Sequence, residues 1–261
     1  VARLCHFKNI WWALANEYDL MPWKTEEAWE RFARVVIGRD SYGHLRSIHN
    51  CLTFYDHTRP WITHASIQRV DVYRTAENVT RWRQQYQKPI VVDECAYEGN
   101  INYGWGNITG EEMVRRFWEG CIRGGFLSHG EVYVQYPQIW WAHGGTLHGT
   151  APERIAFLKK IMYEAPGDAA PLVLTPQNHA ENWDVPCMCT GDGSWFLYYF
   201  DFMRPAFRTW KLPVGGVYEL ELIDTWDMTV EKLPGTYEGD IRIALPQKQY
   251  LAVRMKRIAC R

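Results

Sequence analysis

The stretch Asn9-Ile-Trp-Trp-Ala-Leu-Ala-Asn-Glu17 decides the fold class of this chain of 261 residues. Residues 9–15 form a nearly continuous apolar run, which is typical of a strand buried on both faces of a parallel sheet. The polar residues Asn16 and Glu17 follow directly. We therefore predict a buried parallel strand whose C-terminal end carries functional groups.

The same pattern recurs along the next part of the chain. Further strands are predicted at 45–49, 61–67, 88–94 and 126–133, and helices at 25–36, 77–86, 110–124 and 152–163. Strands that alternate with helices indicate βαβ units and a parallel sheet, so the fold class is α/β. Polar residues gather at the C-terminal ends of the strands, where (β/α)8 barrels place their active sites.

The pattern changes at Ala165-Pro166-Gly167. Beyond it, short alternating apolar segments lie at 195–200, 217–223, 239–245 and 250–254, with turn-forming residues between them. This pattern predicts a small antiparallel β-sandwich. We expect two domains, an α/β domain over residues 1–166 and a β-sandwich accessory domain over 167–261.

The charge balance and the lengths of the apolar runs argue against two classes of partner, nucleic acids and membranes. Lys and Arg total 29 against 30 Asp and Glu, and the net charge is -1. Nucleic-acid binding needs a basic excess, which is missing here. No run approaches the roughly 20 apolar residues of a membrane-spanning helix, so we expect a soluble protein with no membrane partner.

Cysteine and histidine spacing bears on compartment and metal content. The seven cysteines are an odd number without zinc-type spacing, which favours reduced thiols and a cytoplasmic location. No histidine pair stands at metal-ligand spacing with a carboxylate. We expect neither a metal nor a cofactor.

Two glutamates are the strongest candidates for chemistry. Glu17 and Glu94 each close a predicted strand, and the ends of parallel strands point into one pocket. Glycoside hydrolysis needs two carboxylates that flank the scissile bond, roughly 5–5.5 Å apart in a retaining enzyme. We predict Glu17 as general acid/base and Glu94 as nucleophile; the alternative for each is a structural ion pair.

Other polar and aromatic residues near the strand ends are candidates for substrate binding. Asn16 could bond a sugar hydroxyl, and either His64 or Tyr97 could hold Glu94 ionised. Glu131 could bind sugar hydroxyls, and it is the first alternative catalytic carboxylate if the assignment of Glu17 and Glu94 is wrong. The remaining candidates are His49, Asn50, Trp140, Trp141 and His143.

Asn16-Glu17 at one strand end and Glu94 three strands later resemble the clan of (β/α)8 retaining glycoside hydrolases that includes cellulases and β-galactosidases. In that clan Asn-Glu closes strand four, and the nucleophile closes strand seven. The resemblance implies that this chain holds strands four to eight of a (β/α)8 (TIM) barrel. The missing N-terminal half of the barrel would then be a partner of this chain.

Four segments, 93–99, 140–145, 152–158 and Ile223-Asp-Thr-Trp226, resemble bacterial predicted glycoside hydrolases with a DUF4038/DUF5060-type catalytic domain and a C-terminal β-sandwich. The resemblance implies double displacement on a β-linked oligo- or polysaccharide, with this fragment inactive alone. One alternative is a non-catalytic carbohydrate-binding protein on a degenerate barrel. Another is a barrel hydrolase of small esters or amides, for which the sequence lacks a Ser or Cys nucleophile with a placed His.

Overall fold

The structure, a computed structural model, describes residues 1–71, 74–134, 145–175, 178 and 185–260. Contacts between Cα atoms divide the chain into two compact units. The first unit comprises Val1–Ala96 and Gly125–Gly130, and the second comprises Tyr97–Gly124 and Glu131–Arg261. The expected domain boundary at residue 166 stays a prediction.

The elements follow the α/β order expected from the sequence, and a strand-rich segment ends the chain. The helices are α1 (Glu26–Arg39), α2 (Val79–Tyr86), α3 (Gly110–Ile122) and α4 (Ala151–Tyr163). The strands are β1 (Trp12–Ala13), β2 (Arg46–Ser47), β3 (Ala65–Gln68), β4 (Ile90–Glu94), β5 (Glu98–Gly99), β6 (Phe126–Leu127), β7 (Glu131–Val132), β8 (Ala170–Pro171), β9 (Cys187–Cys189), β10 (Trp195–Tyr199), β11 (Phe207–Lys211), β12 (Gly216–Asp224), β13 (Thr229–Lys232), β14 (Asp240–Ala244) and β15 (Leu251–Cys260). None of these described helices is both long and apolar enough to cross a membrane.

The strands of the first unit are parallel. β1 pairs with β2, and β4 lies between β3 and β6. Thr63 N donates to Arg46 O at 2.9 Å, which links the segment before β3 to β2. The C-terminal ends of these strands therefore carry the residues that the sequence singles out.

Helix α1 packs on the β1–β2 side of the first unit. Its buried residues Trp29 and Ala33 share an apolar core with Ile48, Trp61 and Ile62. The four-residue spacing of Trp29 and Ala33 places both side chains on one face of the helix. This packing holds the segments that follow β1 and β2.

The second unit contains a six-stranded antiparallel sheet with the order β13-β12-β15-β10-β9-β8. β11 and β14 form a separate antiparallel ribbon, and Trp210 and Ile243 of that ribbon share a core with Tyr198, Leu220 and Val253 of the sheet. Strand β13 was not predicted from the sequence, and its residues are all exposed. An exposed edge strand lacks the apolar alternation by which strands are found.

Candidate active site

Glu94 and Gln68 lie at the same edge of the parallel sheet. Glu94 ends β4, Gln68 ends β3, and the two residues are paired in register. Main-chain bonds bring the segments after β1 and β2 together, since His49 N donates to Ala15 O at 3.1 Å and Tyr18 N donates to His49 O at 2.9 Å. Four strand ends thus converge in the first unit.

Gln68 and His49 connect the two candidate catalytic carboxylates. Gln68 Nε2 donates to Glu17 Oε1 at 3.2 Å, and Gln68 Oε1 lies 3.1 Å from His49 Nε2. The same histidine nitrogen lies 3.2 Å from Glu94 Oε1. The arrangement places Glu17 and Glu94 at the two ends of one hydrogen-bonded chain.

The other ring nitrogen of His49 faces a second carboxylate. His49 Nδ1 lies 3.1 Å from Ser66 Oγ and 3.8 Å from Asp93 Oδ2. Ser66 donates its hydroxyl hydrogen to the Asp93 carboxylate. His49 is therefore buried between hydrogen-bonding groups of β3 and β4.

The surroundings of His49 raise its pKa above the ordinary 6.5. Burial alone would lower this pKa, but hydrogen bonds to Glu94 and Gln68 and the negative charges of Glu94 and Asp93 outweigh it. His64, which is also buried, has a lowered pKa because burial outweighs the charge of Asp93 there. The difference between the two histidines follows from the carboxylate contacts that His49 makes.

Glu17 has an unusual backbone conformation for a glutamate. Its φ of 49° and ψ of 56° lie in the left-handed region, which costs roughly 1–2 kcal/mol for a residue with a Cβ. Leu20 N donates to Glu17 O at 3.0 Å, and the neighbouring Tyr18 N binds His49 O. Backbone strain of this kind is concentrated at functional sites, where the surrounding structure maintains it.

Asp19 fixes the loop that follows β2. Its carboxylate accepts three backbone hydrogen bonds, from Cys51 N at 2.6 Å, Leu52 N at 2.7 Å and Thr53 N at 2.8 Å. Burial raises the pKa of Asp19, but these three bonds outweigh it and lower that pKa below the usual range. An ionised Asp19 therefore holds the loop next to Glu17.

Cys51 lies beside the candidate acid/base. Its Sγ is 3.7 Å from Gln68 Nε2. Burial, a hydrogen bond with Glu17 and the charges of Glu17, Asp19 and Glu94 raise the Cys51 pKa to about 11. A thiol with this pKa is protonated near neutrality and is a poor nucleophile, which argues against thiol-based ester or amide hydrolysis.

Three other predicted site residues occupy different settings in the first unit. Asn50 is buried and joins its loop to the end of β3, with Nδ2 donating to Gln68 O at 3.1 Å and Oδ1 accepting from Gln68 N at 3.2 Å. His64 is buried, with Nδ1 3.2 Å from Thr63 Oγ1, whereas Asn16 is exposed next to Glu17. Substrate contact by these three residues stays a prediction.

Tyr97 and Glu131 belong to the second unit. The Tyr97 ring packs edge-on against Trp105, with 5.6 Å between ring centroids. Glu131 is buried and accepts from His148 N at 2.8 Å and Gly149 N at 3.1 Å. A role of either residue in substrate binding stays a prediction.

Glu98 stands next to Glu131 in the β5–β7 pair and is also buried. Its carboxylate accepts from Thr150 N at 2.7 Å and Ala151 N at 3.1 Å. These amides begin α4, where a helix favours negative charge. Within the second unit, the two glutamates thus bind the segment that leads into α4.

Three predicted substrate-binding residues, Trp140, Trp141 and His143, lie outside the described residues. All seven cysteines lie within the described residues, and none of them forms a disulfide.

Three residues of this site, Gln68, Ser66 and Asp19, were not predicted from the sequence. Gln68 had a detectable signal, because it is the first residue after the strand predicted at 61–67, and Glu17 likewise follows a predicted strand. The role of Asp19 depends on a loop more than 30 residues away in sequence, and no local pattern reports such a contact.

Part of the chain matches a protein-family model. Residues 183–256 match the domain of unknown function DUF5605. No curated protein matches the sequence.

The chain is similar to solved structures of glycoside hydrolases. A protein from Bacteroides vulgatus ATCC 8482 described as a "putative glycoside hydrolase" is 30% identical, with a TM-score of 0.87 over 98% of this chain and 53% of that one. A family 5 glycoside hydrolase from the same strain is 17% identical, with a TM-score of 0.71 over 97% of this chain and 64% of that one. A GH30 endoxylanase from Clostridium papyrosolvens C71 is 12% identical, with a TM-score of 0.55 over 94% of this chain and 64% of that one. The chain spans about half of the first protein and shares the fold of these structures.

Proposed function

We propose that this protein is a retaining glycoside hydrolase that acts on a β-linked oligo- or polysaccharide without a cofactor. Glu94 is the nucleophile and Glu17 is the general acid/base. The observation that carries the proposal is the chain of hydrogen bonds from Glu17 through Gln68 and His49 to Glu94 at the ends of parallel strands. The likeness to a "putative glycoside hydrolase" over 98% of the chain supports it.

The proposed reaction has two displacement steps. In the first, Glu94 attacks the anomeric carbon while Glu17 gives its proton to the leaving oxygen, so the glycosidic bond breaks and a glycosyl ester forms. In the second, Glu17 takes a proton from water, whose oxygen attacks the anomeric carbon and releases Glu94. His49 Nε2 lies 3.2 Å from Glu94 Oε1, and a hydrogen donated from this nitrogen would favour the ionised form of Glu94 that the first step requires.

We also propose that β1, β2, β3, β4 and β6 correspond to strands four to eight of a (β/α)8 barrel. Their parallel pairing and the positions of Glu17 and Glu94 support this assignment. Residues 167–261 would form the β-sandwich accessory domain, supported by the core that the sheet and ribbon share. In this proposal the 261 residues alone hydrolyse little, because three strands are needed to complete the pocket.

The decisive experiment is covalent trapping, with the whole polypeptide that the gene encodes. We would incubate it with a panel of 2-deoxy-2-fluoro β-glycosyl fluorides and measure the intact mass. A gain of one glycosyl group that maps to Glu94 is expected, and Glu94→Gln should abolish it. Glu26→Gln, at an exposed position of α1, is the matched control and should be trapped normally.

Three results would overturn the proposal or part of it. A label on a residue other than Glu94 would show that the assignment of Glu94 as the nucleophile is wrong. Sugar binding by calorimetry without trapping or turnover on any glycoside of the panel would favour a non-catalytic carbohydrate-binding protein instead. Inversion of the anomeric configuration, followed by proton NMR, would contradict the retaining mechanism.

A further inference from the structure

The hydrogens around Nδ1 of His49 can be assigned from the groups that face it. The hydroxyl of Ser66 has one hydrogen, which it donates to Asp93. The Ser66 oxygen that lies 3.1 Å from His49 Nδ1 can then only accept. Nδ1 must therefore carry a hydrogen.

The hydrogen on Nε2 of His49 is also determined by the groups that face it. Gln68 Nε2 donates to Glu17 Oε1 at 3.2 Å, and this oxygen can accept whether or not the other oxygen of Glu17 carries a proton, so the NH2 group of Gln68 faces Glu17. The carbonyl oxygen of Gln68 is thereby turned toward His49 Nε2 at 3.1 Å, and Glu94 Oε1 lies 3.2 Å from the same nitrogen. Both neighbours are acceptors, so Nε2 also carries a hydrogen.

We propose that His49 is held as an imidazolium ion, with both N–H groups donating, and that it is a positioning residue that keeps the Glu94 carboxylate ionised and correctly oriented. The protonation state follows from the hydrogen-bond geometry alone. The positioning role rests on the proposed function, because it assumes that Glu94 is the nucleophile.

The charges around His49 agree with this assignment. β4 contributes the carboxylates of Asp93 and Glu94, and the segment after β1 contributes Glu17 on the far side of the Gln68 amide. The groups from β3, Ser66 and Gln68, are uncharged. The two carboxylates that face His49 favour its protonated ring, because an opposite charge within about 4–6 Å stabilises the charged form of a titratable group.

The charged or titratable groups farther from the ring complete this picture. Cys51 lies across Gln68 and is a neutral thiol, since its pKa is raised to about 11. His57 and His64 have lowered pKa values, His57 to about 4, because burial disfavours their charged forms. Near neutrality they are neutral and add no positive charge that would compete with His49 for the carboxylates. Asp19, beyond Cys51, adds negative charge.

The protonation state is tested by nitrogen NMR on the full chain labelled with 15N-histidine near neutral pH. We expect the His49 ring to show two protonated nitrogens and to titrate above the ordinary histidine value of about 6.5. His57 in the same spectrum should show the neutral pattern and titrate near 4. His49→Gln and His57→Gln identify the two signals. A neutral ring at His49 near pH 6 would overturn the inference whether or not the protein hydrolyses sugars.

The positioning role is tested by the pH dependence of kcat/KM. Removing the cation with His49→Gln should move the acid limb, which reports the nucleophile, up by about one pH unit or more. His44→Gln is the matched control: His44 Nδ1 contacts Asp40 at 2.7 Å before β2, away from the strand ends, and the limb should stay in place. An unmoved limb in His49→Gln would refute the positioning role. Failure of Glu94→Gln to block trapping would refute the proposed function and leave the NMR result standing.

Discussion

Replacing Asp19 by alanine should loosen the loop beside Glu17 and destabilise the first unit. The carboxylate of Asp19 satisfies three consecutive backbone amides, those of Cys51, Leu52 and Thr53, at 2.6–2.8 Å. Alanine offers no acceptor, so all three bonds are lost together.

The size of the effect depends on how well water replaces the carboxylate. A hydrogen bond to a charged group contributes about 1.5–3 kcal/mol to stability. The residues Leu52 and Thr53 are exposed, so their amides can bond to water instead, whereas the amide of Cys51 belongs to a half-buried residue. We therefore count about one full charged bond and part of the others, a loss of about 2–3 kcal/mol.

Urea unfolding followed by tryptophan fluorescence measures this loss. The control is Asp56→Ala, because Asp56 lies in the same unit and its carboxylate contacts residues close to it in sequence. It accepts from Thr58 N at 3.0 Å and Thr58 Oγ1 at 2.5 Å, and Arg59 Nε lies 3.2 Å from it. We expect the control to lose less than about 1 kcal/mol. Equal losses in the two variants would refute the reasoning.

The pH dependence gives a second check on Asp19. Its folded pKa is lowered below the ordinary 3.8, so its stabilisation is complete above that value and is lost as pH falls through the folded pKa. The stability difference between the wild type and Asp19→Ala should therefore be constant near neutrality and shrink below about pH 4. A difference that persists unchanged in acid would show that the charge of Asp19 contributes nothing.

Three further predictions concern other contacts. Gly149→Ala would place a Cβ 2.3 Å from the buried carboxylate of Glu98, so the Tm of this variant should fall by roughly 4–8 °C for about 2 kcal/mol of overpacking. The control Gly191→Ala meets open space and should melt as the wild type does. Equal melting temperatures of the two variants would contradict the clash. Gln68→Met should lower kcat most for glycosides with poor leaving groups, because the acid/base candidate loses a donor; an equal loss for all leaving groups would exclude this role. The pKa of Cys51 is raised to about 11, so this thiol should react with iodoacetamide at about pH 8 roughly 100-fold more slowly than an unperturbed thiol. Alkylation of Cys51 as fast as that of the exposed Cys260 would contradict the raised pKa.

The helices were predictable because their signals are local. Thr109 Oγ1 accepts from Glu112 N at 3.2 Å, which is the hydrogen bond of a helix N-cap, and α3 begins at the predicted Gly110. Most predicted strands of the α/β part are present but shorter than their apolar runs: residues 9–15 contain only the strand Trp12–Ala13. The single strand predicted at 126–133 is wrong, because that segment holds two short strands, β6 and β7, that pair with β4 and β5 respectively. The length of a strand depends on its neighbours, and an apolar run does not report where pairing stops.

The candidate site could be predicted only in part for the same reason. The rule that strand ends converge identified Glu17, Glu94 and His49, and the structure brings these three together in the first unit. The rule did not single out His49 as a contact of Glu94: either His64 or Tyr97 was expected in that role, which stays a prediction, and the structure places His49 Nε2 3.2 Å from Glu94 Oε1. The contact between His49 and Glu94 joins residues 45 positions apart in sequence, and side-chain packing determines it.

The backbone of Glu17 and the charge of Glu94 are maintained by the same residue. His49 O accepts from Tyr18 N, which fixes the turn in which Glu17 adopts a positive φ, while the His49 ring donates toward Glu94. A left-handed glutamate costs roughly 1–2 kcal/mol and persists only if its surroundings determine it. Because the main chain of His49 serves one glutamate and the side chain serves the other, His49→Gln should keep the main-chain bond at the Glu17 turn while it removes the positive charge beside Glu94. This separation makes the pH profile of that variant interpretable as a change of charge.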